Sequence, residues 1–165
     1  MNFGPSVAEL VAGASRALVA ARNVSEIKHA RDLAEAARSY ARRANGEQAT
    51  LFCAACLTIR AEHELGTALS KTDLAKAAPG NQYTGKKKLD RSHAANGPRY
   101  LRDLHVTGSV SHRAQQLAAL TRAELEHWLA SQCAAGVVPT LAAARRHAKE
   151  VAGANGRGRK LPPTA

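Results

Sequence analysis

The sequence predicts an all-α protein with an N-terminal helical hairpin followed by a small bundle of short helices. Apolar residues recur at helical spacing along most of the chain, and alternating β-branched runs that would indicate strands are few. Alanine is frequent, whereas aromatic residues make up only 4% of the 165 residues. A chain of this length fits one domain, or one small domain with an accessory element.

The N-terminal helices are predicted from their capping signals. Ser6 and Glu9 form a capping box that opens a first helix ending near Ala21. Ser25 is the expected cap of a second helix, which the pair Asn45-Gly46 ends. Its inward stripe is predicted to be Ile27, Ala30, Leu33, Ala37, Tyr40 and Ala41.

A third helix is predicted from Glu47 to about Leu69. Because only the two residues Asn45-Gly46 link it to the second helix, the two helices must form an antiparallel hairpin. Because the hairpin is rich in alanine, each residue buries little apolar area. Two outcomes follow, namely a homodimer through residues 25–70 or a hairpin that packs only on the first helix of its own chain. Glu62-His63-Glu64 is expected to be a solvated turn of this helix.

Composition divides the chain into four predicted regions. Residues 1–78 form the helical hairpin, a possible oligomerisation region, and 79–97 form a basic flexible linker rich in Gly and Asn. Residues 98–152 form a helix-turn-helix domain. Residues 153–165 have no apolar period and form a disordered basic tail.

The formal net charge of +11 is unevenly distributed. Residues 71–116 carry nine Lys/Arg against three Asp/Glu, and residues 145–165 carry six against one. Residues 1–70 and 117–144 are close to neutral, with eight against seven and one against two. Such clustering favours a polyanionic partner, most often nucleic acid.

The stretch 99–120 carries the helix-turn-helix prediction. A short helix from about Pro98 to Leu104 is followed by the turn His105-Val106-Thr107, where His105 occupies a positive-φ position that usually holds Gly. The second helix is expected to turn Val110, Ala114, Leu117 and Leu120 inward. Its predicted outward residues are donors or acceptors without an acidic member: Thr107, Ser109, Ser111, His112, Arg113, Gln115 and Gln116.

Such a helix can lie in the DNA major groove, where Arg reads guanine and Gln reads adenine. We therefore expect Arg113 and Gln116 to select bases. We also expect DNA contacts from Lys86, Lys87, Lys88 and Arg99. The three lysines lie on a Gly-rich loop without fixed geometry, so they are expected to contact phosphates only. Any solvated helical hairpin shows a similar pattern, so the structural alternative stays open.

Two more helices are predicted after this stretch. Thr121 and Glu124 form a second capping box, Trp128 is the expected core anchor of that helix, and Gly136 ends it. A last helix covers about 141–152.

The run LRDLHVTGSVSHRAQQLAALTRAELEHWL, residues 101–129, resembles the helix-turn-helix of ParB/KorB-type proteins. The layout of residues 24–150 is similar to small bacteriophage and mobile-element proteins, in which a charged helical hairpin precedes a Gly/Lys loop and such a reader. The resemblance implies DNA-facing positions at Thr107, Ser109, Ser111, His112, Arg113 and Gln116. The nucleotide-binding arginine motif of ParB is not visible, so CTP binding is not implied.

Metal and enzyme functions find little support in the sequence. Cys53 and Cys56 lie mid-helix with Cys133 and His63 as the only further candidate ligands, whereas zinc sites place such pairs in turns. Phosphate-cradling and metalloprotease motifs are absent. We therefore expect a non-enzymatic DNA-binding protein without a cofactor.

Other features bear on the location and the partner of the protein. Three cysteines and the lack of a signal peptide or an apolar span favour a cytoplasmic, nucleoid-associated location without a membrane partner. The main alternative is a non-catalytic helical protein–protein adaptor whose basic tail aids solubility. RNA or single-stranded DNA is a weaker third alternative, because few aromatic residues are available for stacking.

Overall fold

The structure is a computed structural model that describes residues 6–44, 47–72, 101 and 103–157. These residues form six helices and no strand, which confirms the all-α prediction. The helices are α1 (Val7–Ala20), α2 (Val24–Arg43), α3 (Gln48–Lys71), α4 (Gly108–Leu117), α5 (Arg122–Ala134) and α6 (Leu141–Arg157). Among them, none is long and apolar enough to span a bilayer.

The capping residues define where the first two helices begin. Ser6 and Glu9 form the predicted capping box of α1, with Glu9 accepting from the Ser6 amide at 2.6 Å. The prediction that Ser25 caps α2 is wrong, since Asn23 Oδ1 accepts from the Glu26 amide at 3.0 Å and starts the helix earlier. Helix α2 ends at Arg43, and the predicted terminator Asn45-Gly46 lies outside the described residues.

Helix α3 is the central element of the fold and packs against α1, α2 and α4. Leu57 meets Ala14 and Ala34 in one cluster, so the α2–α3 hairpin packs on the first helix of its own chain. The alanine faces that suggested a homodimer through 25–70 are thus covered within the chain. Tyr40, expected to point inward, is 49% exposed because it lies at the edge of the α2 stripe.

Glu62-His63-Glu64 is not the solvated turn that the sequence predicted. Glu62 is fully buried and His63 is 5% exposed, because α3 is covered on more than one side. Arg31 of α2 donates from Nε to Glu62 Oε2, while Glu62 Oε1 has no hydrogen-bond partner among the described residues. His63 Nε2 lies 2.9 Å from the carbonyl oxygen of Leu120. Partners from neighbouring elements therefore offset part of the cost of burying these groups.

Helices α3 and α4 touch at Gly66. A Cβ atom at this position would lie 2.0 Å from the carbonyl oxygen of Ala114, so only glycine permits the observed approach. Ile59 of α3 joins a cluster with Leu117, Leu125 and Trp128. A second cluster is formed by Val24, Leu65, Leu69, Leu104, Val106 and Ala114. The predicted regions 1–78 and 98–152 consequently share their hydrophobic core.

The last two helices complete the first of these clusters. Thr121 and Glu124 form the predicted capping box of α5, and Gly136 ends it with φ +67°. Trp128 is 9% exposed, as expected of a core anchor, and stacks on His147 of α6 with ring centroids 5.8 Å apart. Helix α6 continues to Arg157, so residues 153–157 are helical where a disordered tail was predicted, and residues 158–165 are not described.

Candidate nucleic-acid interface

A tight turn sets the start of α4. His105 has φ +52°, the left-handed conformation predicted for this position. The amides of Leu104 and Val106 both donate to the carbonyl oxygen of Leu101, at 3.2 and 2.9 Å. Leu104 and Val106 are buried, which fixes the turn to the core. The helix predicted before it, from about Pro98, lies largely outside the described residues, and those described form a turn.

The N-terminus of α4 is capped by a side chain and faces solvent. Thr107 Oγ1 accepts from the Val110 amide at 3.3 Å and lies 3.2 Å from the hydroxyl of Ser109. Thr107, Gly108 and Ser109 are all exposed. The predicted inward residues Ala114 and Leu117 are fully buried. The rotation of α4 about its axis therefore matches the sequence pattern at these positions.

The outer face of α4 is polar and has no carboxylate, since Gly108–Leu117 contains no Asp or Glu. Ser109, His112 and Gln115 are exposed on it. Ser111, predicted to point outward, is 4% exposed and accepts from Gln115 Nε2 at 3.1 Å. It lies three residues before Ala114 on the side that α3 covers, so the outward placement is wrong.

Arg113 lies at the border of the outer face. It is half-buried, and its Nε is shielded from solvent without a hydrogen-bond partner among the described residues. The guanidinium is therefore less accessible than the sequence pattern suggested. Lys86, Lys87, Lys88 and Arg99, the remaining predicted DNA contacts, lie outside the described residues.

A hydrogen-bonded chain joins α4 to α6. Arg145 of α6 donates from Nε to Gln116 Oε1 at 2.8 Å, and Gln116 Nε2 lies 2.9 Å from His112 Nε2. Both ends of the Gln116 amide are thus engaged within the protein. Arg145 was not among the predicted site residues, because only the packing of α6 beside α4 brings it to the reader helix.

A cleft of about 600 Å³ lies away from α4, between α1, α3 and α5. Arg60 and Glu126 form a bidentate ion pair at its wall, with N–O distances of 2.7 and 2.6 Å. The hydrogen bonds from Arg60 lower the pKa of Glu126. Leu18 and Val19 line the same cleft, and Val19 is 77% exposed.

The cysteines do not form a metal site in the part of the chain that is described. Cys53 and Cys133 are exposed, whereas Cys56 is buried in the core. Burial raises the pKa of the Cys56 thiol to about 11, which disfavours the thiolate that metal binding and nucleophilic chemistry require.

Scans against protein-family models and searches of curated proteins and solved structures find no match to the chain.

Proposed function

We propose that the chain is a non-enzymatic protein that binds double-stranded DNA sequence-specifically, with α4 as the reader helix that enters the major groove. Its role would be that of a phage or mobile-element regulator of transcription, replication or partition, in line with the resemblance of residues 101–129 to ParB/KorB-type proteins. The observation that carries the proposal is the outer face of α4, which presents exposed hydrogen-bonding side chains and no carboxylate.

The dimensions and the charge of this surface suit a duplex. An α-helix with its side chains is about 10–12 Å in diameter and the major groove is about 12 Å wide, so α4 can enter it. The capped N-terminus of α4 is exposed, and the positive end of a helix dipole attracts phosphate. The net charge of +11 adds a long-range attraction.

A charge introduced on the outer face of α4 tests the proposal. Ser109→Asp places a carboxylate in the first turn of α4, where it stabilises the helix dipole but repels phosphate. Ser39→Asp introduces the same charge on an exposed position of α2 and serves as the matched control. Both variants should fold as the wild type does.

The readout is a gel-shift series with duplex fragments from the DNA that surrounds the coding sequence of the chain, measured at several salt concentrations. We expect log affinity of the wild type to fall linearly with log salt. Ser109→Asp should weaken binding by at least about tenfold, since like charges across an interface cost several kcal/mol. Ser39→Asp should leave binding unchanged.

Equal affinities for the wild type and Ser109→Asp would contradict the assignment of α4 as the reader helix. Absence of binding by the wild type at every salt concentration would contradict the DNA function and would favour the second candidate function, a helical adaptor. The observation that supports the adaptor function is the open cleft, which is lined by the exposed Val19.

A further inference from the structure

The chain from Arg145 to His112 determines where the hydrogens lie on the reader helix. A guanidinium can only donate hydrogen bonds, so the Gln116 atom that faces Arg145 must be the amide oxygen. The atom that faces His112 must then be the amide nitrogen, which can only donate. Arg145 therefore fixes the orientation of the Gln116 side chain.

The same reasoning extends to the imidazole of His112. Because Gln116 Nε2 donates to it, His112 Nε2 is the acceptor, and the single proton of the neutral ring is on Nδ1. His112 is exposed on the outer face of α4. Nδ1 has no hydrogen-bond partner among the described residues, so its N–H is available to a ligand.

We propose that Arg145 is a positioning residue that makes His112 a hydrogen-bond donor to a base edge, a role that rests on the proposed DNA function. In the major groove, guanine presents two acceptors, adenine and thymine each present one, and cytosine presents only a donor. The base that faces His112 is thus most favourably guanine and least favourably cytosine. Gln116 is half-buried and holds one hydrogen bond at each end of its amide, to Arg145 and to His112, so its role in this proposal is to orient His112 and not to read adenine.

Helix α6 supplies a matched control for Arg145. Lys149 lies four residues after Arg145, so the two side chains share one flank of α6. Lys149 is exposed. Arg145→Ala and Lys149→Ala remove the same charge from neighbouring positions, and only Arg145→Ala breaks the bond to Gln116. Arg145→Lys retains the charge and a donor.

The first test needs no DNA. Long-range ¹H–¹⁵N correlation spectra of the full chain at about pH 8 distinguish the two neutral tautomers of His112. We expect Nδ1–H in the wild type and in Lys149→Ala. Arg145→Ala and Gln116→Ala should convert His112 mainly to the Nε2–H form, and Arg145→Lys should restore part of the Nδ1–H population. An Nε2–H ring in the wild type would overturn the proposal.

The second test is selection of bound sequences from a pool of randomised duplexes. The wild type and Lys149→Ala should enrich sequences with one position that favours guanine and excludes cytosine, and Arg145→Ala should lose this preference. If Arg145→Ala enriches the same sequences as Lys149→Ala, the positioning role is overturned and the DNA function stands. If the wild type enriches nothing from the pool, the DNA function itself fails, and base reading by His112 fails with it.

Discussion

Gly66→Ala tests whether the reader helix is held by the close contact between α3 and α4. The added Cβ would lie 2.0 Å from the carbonyl oxygen of Ala114, 2.4 Å from its carbonyl carbon and 3.0 Å from Cβ of Ala118. An ordinary contact between non-bonded heavy atoms is about 3.5 Å, so the two helices must separate by more than about 1 Å. Both hydrophobic clusters beside the contact would then lose packing.

The magnitude follows from two opposing effects. Replacing glycine by alanine inside a helix stabilises by about 1 kcal/mol. Overpacking of a well-packed core costs about 1–3 kcal/mol and more where backbone must move, as it must here, since the obstacle is a main-chain carbonyl. We expect Gly66→Ala to lower the free energy of unfolding by about 2 kcal/mol in total.

Urea unfolding followed by circular dichroism measures this change, and Gly13→Ala is the control. Gly13 lies in α1 with nothing within 4 Å of the position of its Cβ, so the substitution should raise the free energy of unfolding by about 0.5–1 kcal/mol. Opposite signs for the two variants are the expected result. If Gly66→Ala stabilises the protein as Gly13→Ala does, the packing of α4 on α3 is refuted.

Three more predictions concern charges. Arg31→Ala should lower the free energy of unfolding by about 3–5 kcal/mol in urea titrations, because it leaves the charge of Glu62 buried without a partner. The double variant Arg31→Met with Glu62→Leu should be about as stable as the wild type. Equal losses of unfolding free energy in Arg31→Ala and in the double variant would contradict this. Glu126→Gln should destabilise the folded protein at neutral pH but not in acid. The hydrogen bonds from Arg60 hold the pKa of Glu126 in the folded protein below its ordinary value of 4.5. The stability that ionised Glu126 contributes is therefore complete above pH 4.5 and is lost as the pH falls through the folded pKa. Thermal scans between pH 7 and 3 measure this, and a pH-independent difference from the wild type would be inconsistent with it. Changing Lys86, Lys87 and Lys88 to Ala should weaken specific and random duplexes equally and flatten the salt slope in gel shifts, and a loss confined to specific duplex would make them base readers.

The features that sequence predicted well are those fixed by neighbouring residues. The capping boxes at Ser6 and Thr121 need only a hydroxyl and a glutamate three residues apart, and both form. The left-handed turn at His105 was predicted because this residue occupies the turn position that usually holds Gly in a helix-turn-helix. Local rules therefore specify where α1 and α5 begin and which main face of α4 is buried.

The features that sequence missed depend on contacts between distant segments. Glu62 and His63 have a polar pattern typical of a solvated turn, and they are buried because Arg31 and Leu120 supply partners from elsewhere in the chain. Ser111 is 4% exposed and lies one turn before Ala114, where α3 approaches α4 closely because Gly66 has no side chain. The periodicity of one helix cannot show how closely a second helix will approach it.

The central claim, that the outer face of α4 binds duplex DNA, is tested most directly by an NMR titration. Backbone amide resonances of the ¹⁵N-labelled full chain are followed as a duplex enriched by the wild-type protein is added at moderate salt. The account predicts the largest shifts at Gly108, Ser109 and His112, with the resonances of α1 unchanged. Shifts confined to the cleft residues around Val19, with α4 unaffected, would contradict it.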